Sequence, residues 1–181
     1  TIFISLILII PLLEATEYSG SGDCGSTVTE SSTVRTSVTG CSGDGFTIGA
    51  DSITFDCGGV TISGQDNGGT VGIDLNGYKD VSLINCVITN FETGISITNS
   101  QQNVLVNLMV INNNNYGLDI TNANLTIVTN SLIEDNSVRQ FLATDSYNLT
   151  FDSNTVDPRP NDYYFRLDGG KYATISNNKF T

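Results

Sequence analysis

VSLINCVI, residues 81–88, returns along the chain as VLVNLMVI from Val104, LTIVTNSL from Leu125, LTFDSNTV from Leu149 and ATISNNKF from Ala173. Its outline is Ile/Val/Leu–x–Ile/Phe–x–polar–Asn–x–Ile/Val/Leu. The spacings are 23, 21, 24 and 24 residues (104−81, 125−104, 149−125 and 173−149). A fixed period of this length means stacked units, each resting on its neighbours, in place of one globular core.

A second short strand lies between the copies. It reads Gly72-Ile-Asp-Leu75, Gly94-Ile-Ser-Ile97, Gly117-Leu-Asp-Ile120, Gln140-Phe-Leu-Ala143 and Tyr164-Phe-Arg-Leu167. Each period thus holds at least two strands with alternating apolar residues, separated by polar turns. A unit of this size cannot bury its own apolar face. Stacking at the ~4.8 Å strand spacing sets like residue on like residue and closes a continuous core. The expected fold is therefore all-β, a parallel β-helix (β-solenoid) of about five to six coils of 21–24 residues. Val81, Leu83 and Ile88 are expected to point inward, followed by Leu125, Ile127 and Leu132, then Leu149, Phe151 and Val156. Asn130, Asn154 and Asn178 share the sixth slot and are expected to form a buried amide ladder, since an unpaired buried amide is costly. Cys86 and Met109 hold that slot in earlier coils.

Residues 51–181 carry the regular pattern, beginning with the imperfect copy Ile53–Cys57. Residues 16–50 are rich in Ser, Thr and Gly and are expected to form an N-terminal strand or cap region. Residues 1–15 contain the apolar run IFISLILIIPLL, too short for the ~20 residues that span a bilayer and similar to a signal-peptide core. A membrane contact is expected through this run alone. The last copy ends at the terminus with no cap, so further coils beyond Thr181, or end-to-end self-association through an open coil, are expected.

Charged residues are 14% and the net charge is −12, with seven Lys plus Arg. So few cations cannot make the basic face that nucleic acid requires. The acidity serves solubility, with Ca²⁺ as a weaker alternative. There is no His, and Cys24, Cys41, Cys57 and Cys86 include no CxxC pair, which argues against structural zinc. Four cysteines allow three pairings; Cys24 with Cys41 and Cys57 with Cys86 is favoured, the second joining neighbouring turns. Disulfides and a signal-like segment together point to a secreted, cell-surface or periplasmic location.

The segments DSITFDCGGVTISG, GIDLNGYKDVSLINCVITNF and GISITNSQQNVLVNLMVINNNNYGLDITNANLTIVTNSLIEDN resemble the right-handed parallel β-helix repeat proteins. These include the NosD-like accessory proteins and carbohydrate-associated secreted β-helices of the pectate-lyase-like fold. The resemblance spans roughly residues 50–181 and implies fold more than activity. Related enzymes use Ca²⁺ with acids and a basic residue, Asp clusters with His, or His and Tyr with Arg. The lack of His removes the last two patterns, and no paired acids repeat at coil spacing for the first.

Asp74 and Asp119 share one outward slot two coils apart, with Ser96 between them and Leu142 and Arg166 continuing the row. At ~10 Å they are too distant to share one Ca²⁺ and near the ~6.5–9.5 Å of an inverting hydrolase; matched spacing also arises in any repeat. Arg166 and Asp168, with Tyr163, Tyr164 and Tyr172, form an aromatic and charged group suited to sugars, in a Pro-rich loop context. Thr54, Ser82, Thr126, Thr150 and Thr174 suggest one outward Thr column, interrupted by Leu105. An ice-binding face needs two such columns, and Thr is in any case a good strand residue. Asn124-Leu-Thr126 and Asn148-Leu-Thr150 are glycosylation sequons, of a kind expected by chance in so Asn- and Thr-rich a chain. The expected role is non-catalytic binding of a carbohydrate or cell-surface polymer, or adhesion. A polysaccharide lyase or hydrolase and a filament subunit are the alternatives.

Overall fold

In the computed structural model, which describes residues 15–157 and 164–181, each repeat is one coil carrying a strand in each of three parallel sheets. About six turns stack into a right-handed β-helix. One coil runs Val71–Asn76, Ser82–Ile84, Val87–Thr89 and then Thr93–Thr98, which begins the next. The first sheet has eight strands, from Thr16–Ser19 to Thr174–Ser176. The second has seven, from Val38–Cys41 to Lys179–Phe180, and the third seven, from Ser26–Val28 to Phe165–Asp168. The middle strands of the third are six residues long, so it is called the long-strand sheet below. Residues 16–50 are built into the same sheets: Ser32–Thr36 pairs with Thr54–Asp56, and Phe46–Ile48 with Val71–Asn76. Residues 1–14, with the apolar run, lie outside the described residues.

Corners explain the abundance of Asn, Asp and Gly. In successive coils, residues 77, 80, 85 and 90, then 99, 102, 107 and 112, then 122, 125, 130 and 135 all have positive φ. Gly adopts that conformation freely, and Asn and Asp tolerate it better than other side chains. At several corners the next residue turns inward, and its N–H, no longer facing a strand, needs an acceptor. The side chain in the same slot one coil on supplies it. Phe91 N–H donates to Asn113 Oδ1 (3.1 Å) and Asn113 N–H to Asn136 Oδ1 (3.0 Å). Leu108 N–H donates to Ser131 Oγ (3.1 Å), Ser131 N–H to Asn154 Oδ1 (2.9 Å) and Asn154 N–H to Asn178 Oδ1 (2.8 Å). Buried backbone donors are thereby satisfied without a strand partner.

This geometry corrects three expectations: the ladder slot, the inward residues of one coil and the Thr column. Asn130 is not a ladder member: it is an exposed turn residue (φ 52°), and Ser131 holds the slot below Asn154. Leu108, not Met109, holds it one coil earlier. The same one-residue offset affects two repeat copies, because Val104 pairs with Ser82 and Ile127 with Thr150. Val128 and Ile133 are therefore the buried residues of that coil, while Leu125 and Ile127 are exposed. Thr126 is fully buried and outside any Thr column, and Val104 and Ile127 stand in the outward row in place of Leu105. The cause is local: Ile127-Val128 and Leu132-Ile133 put apolar residues on both faces, and a three-residue strand has too little alternation to choose between them.

The core is three sets of inward columns. Phe55, Leu83, Leu105, Val128 and Phe151 come from the first sheet. Ile62, Ile88, Val110, Ile133 and Val156 come from the second. Phe46, Ile73, Ile95, Leu118 and Phe141 come from the third. Gly94 and Gly117 are the second residues of their long strands, at places where adjacent coils leave no room for a side chain. A Cβ at Gly94 would lie 2.7 Å from Gly117 O, and one at Gly117 would lie 2.6 Å from Gln140 O. Cys24 bonds Cys41 and Cys57 bonds Cys86, with Cα separations of 5.4 and 4.7 Å. In the chain-entropy picture, loops of 17 and 29 residues make each cross-link worth about 3–4 kcal/mol.

Candidate functional site

The outward face of the long-strand sheet gathers the polar chemistry. Its central row runs Thr47, Asp74, Ser96, Asp119, Leu142 and Arg166, each paired to the next in parallel register. On one side stand Asn76, Thr98, Thr121, Thr144 and Asp168. On the other stand Val71, Thr93, Tyr116 and Arg139. The six-residue strands make these rows possible, because each carries three outward positions where the short strands carry two.

Asp74 and Asp119 are both half-buried in this face. Burial lifts the Asp74 carboxyl above its ordinary range; the nearby Asp44 charge adds to this, and a hydrogen bond from Ser96 offsets part of it. Burial likewise lifts Asp119, against a hydrogen bond from Thr121 (3.2 Å) and the Arg139 charge. Arg139 Nη1 donates to Tyr116 Oη at 3.3 Å, and its guanidinium carbon lies 5.6 Å from the centre of that ring. Arg139 makes no ion pair among the described residues, and its buried Nε–H has no hydrogen-bond acceptor. The Tyr ring orients the guanidinium by a cation–π contact.

Tyr116 and Arg139 were not singled out from sequence, although a signal existed. Each is the first residue of its long strand, one position before the Gly or Gln that heads the recurring four-residue motif, so the row Val71, Thr93, Tyr116, Arg139 is readable at the same offset in four copies. The members of the expected Tyr, Arg and Asp group are placed as follows. Arg166 and Asp168 form an ion pair (2.6 Å) on this face. Tyr164 is partly buried against the core, and Tyr172 stands exposed at a corner. Tyr163 lies outside the described residues. Asn130 instead helps line an open trough of about 250 Å³ with Asn85, Asn107, Val87, Met109 and Leu132. Among the described residues no three of His, Cys, Asp and Glu converge.

The two raised carboxyls give a pH prediction. A folded-state midpoint above the unfolded ~3.9 means that the folded chain binds more protons between those values, so stability falls as pH rises through that window. Replacing both, Asp74→Asn with Asp119→Asn, is expected to leave Tm unchanged near the acid end. The variant should then gain on the native chain, reaching a plateau above the raised midpoints. Thermal melts across pH 3–8 check this, and a pH-independent offset would contradict burial as the cause.

A sequence profile for the right-handed beta helix region matches residues 23–180. No curated protein matches the chain. Among solved structures, the enzymatically active domain of tailspike protein 2 from bacteriophage CBA120 is 14% identical with a TM-score of 0.68, over 91% of this chain and 30% of that one. ORF18 of Geobacillus virus E2 is 13% identical with a TM-score of 0.70, over 91% and 43%. Pectate lyase Pel9A is 17% identical with a TM-score of 0.55, over 93% and 52%. At these identities the likeness is one of fold, and the chain spans from 30% to 52% of the length of those structures.

Proposed function

This chain belongs to the right-handed β-helix family, and from that footing we propose that it is an exported protein that binds polysaccharide along the outward face of its long-strand sheet, without cleaving it. The observation that carries this is the aligned row of Asp74, Ser96 and Asp119 beside Tyr116 and Arg139. Rows repeating at ~4.8 Å offer hydroxyl-binding groups along an extended polymer, and the Tyr116 ring and Arg139 fork suit a sugar ring and an acid group. The two disulfides fit an oxidising, extracellular setting. Catalysis is the weaker reading. A hydrolase divides acid and base roles between carboxyls whose environments push them apart, whereas Asp74 and Asp119 are shifted in the same direction by the same cause.

Retention on immobilised pectate, alginate and neutral glucans tests the proposal. The native chain is expected to be retained on an acidic polymer. Arg139→Gln should bind it roughly tenfold to a hundredfold more weakly, with an unchanged circular dichroism spectrum. No retention on any polymer would remove the proposal. Release of reducing or unsaturated ends would replace binding with cleavage.

A further inference from the structure

The two sequons lie 24 residues apart (148−124) in coils whose local register is 23 (150−127), and that mismatch separates their fates. Asn124 is bridged to Gln101, and its Oδ1 accepts the Tyr147 N–H at 2.9 Å. Its partner Thr126 is fully buried, with a hydroxyl that has no hydrogen-bond partner. Asn148 is instead an exposed corner residue (φ 55°), and Thr150 faces outward beside Ile127 and Thr174. In the folded chain only the second sequon presents both its amide and its hydroxyl on the surface.

The corner column around Asn148 is itself unusual. Its members, Ser52, Asp80, Gln102, Leu125, Asn148 and Tyr172, all have positive φ. Leu125 is one coil below Asn148 and 46% exposed; Tyr172 is one coil above and 77% exposed. Both are large side chains in a conformation that such residues seldom adopt, and both leave apolar surface in water.

We propose that Asn148 is an N-glycosylation site, and that its glycan lies over Leu125 and Tyr172. The donor is a lipid pyrophosphate-linked oligosaccharide of the export pathway. Asn148 Nδ2 attacks the anomeric carbon, the C–N bond forms as the C–O bond to pyrophosphate breaks, and the lipid pyrophosphate departs while an amide proton passes to base. The apolar face of the first sugars then covers the Tyr172 ring and the Leu125 side chain, a contact that sugars make well with aromatic and aliphatic surfaces. The inference requires export but not the polysaccharide face, so either can fail alone.

The full chain, secreted behind a leader from a eukaryotic host, is treated with peptide-N-glycosidase in heavy-oxygen water and mapped by peptide mass. The expected result is label at Asn148 and none at Asn124. Thr150→Val should abolish the label, Thr150→Ser should keep it, and Thr126→Val should change nothing. Releasing the glycan should raise binding of an apolar dye. Secreted, disulfide-bonded protein with Asn148 unlabelled, or with Asn124 labelled as heavily, overturns the site. Unchanged dye binding overturns the covering role.

Discussion

Phe141→Ala is expected to destabilise the protein by about 3–5 kcal/mol. Phe141 is fully buried at the centre of an aromatic stack. Its ring lies 4.8 Å from Phe151, and 4.8 Å from Phe165 in a stacked arrangement with an interplanar angle of 12°. Phe165 in turn meets Phe180 at 5.5 Å. Removing the ring leaves a cavity that three coils share, and the strands of rigid neighbouring coils cannot close around it. In a stack of coils stability is a sum of nearest-neighbour terms, so the loss should be local. Denaturant unfolding should show the full cost. Hydrogen exchange should lose protection over 139–157 and 164–181 while 53–121 keeps most of its own. A loss below about 1 kcal/mol, or one spread evenly over all coils, would contradict this account.

Asn136→Ala should cost about 2–6 kcal/mol, because it leaves the buried Asn113 N–H without its acceptor and removes three further buried hydrogen bonds. Asn136 Oδ1 accepts both the N–H (3.0 Å) and the Nδ2–H (2.8 Å) of Asn113. Its own Nδ2 donates to Val110 O at 3.0 Å and to Gln140 Oε1 at 2.7 Å. Each buried group left without a partner costs about 1–3 kcal/mol, and no water reaches this slot without displacing core. Asn130→Gly is the matched control. That residue is an exposed turn, and Gly takes positive φ without steric cost, so the change should be near neutral. Chemical denaturation of both variants separates an amide that closes a buried ladder from one that turns a corner. Equal costs for the two would place Asn130 back in a structural ladder.

How much was legible depended on strand length. The long-strand rows were readable to the residue, since Gly-Ile-Asp-Leu and its copies alternate over several positions and admit one register. The row Asp74, Ser96, Asp119, Leu142, Arg166 stands in the structure as spaced in the sequence. The short strands were not readable in this way. Leu125-Thr-Ile-Val128 offers apolar side chains on both faces, so its alternation admits either Ile127 or Val128 inside, and the structure buries Val128. The candidate face was half legible: its carboxylates lie in a visible row, but Tyr116 and Arg139 gain meaning only when adjacent coils bring phenol and guanidinium to 3.3 Å.

By itself the amino-acid sequence determined the coil. Apolar residues recurring near every 23 positions, with Asn, Asp and Gly at the corners, can be buried in no way except by stacking, and this holds whatever the exact register. Tertiary structure alone decided which of two neighbouring residues points inward in the short strands, which Asn closes a ladder and which turns a corner, and which carboxyls are half-buried. Each of those is set by the coil above and the coil below. A three-residue strand has too few side chains to choose its own face, and an amide becomes a ladder rung only when the next coil presents an N–H to it.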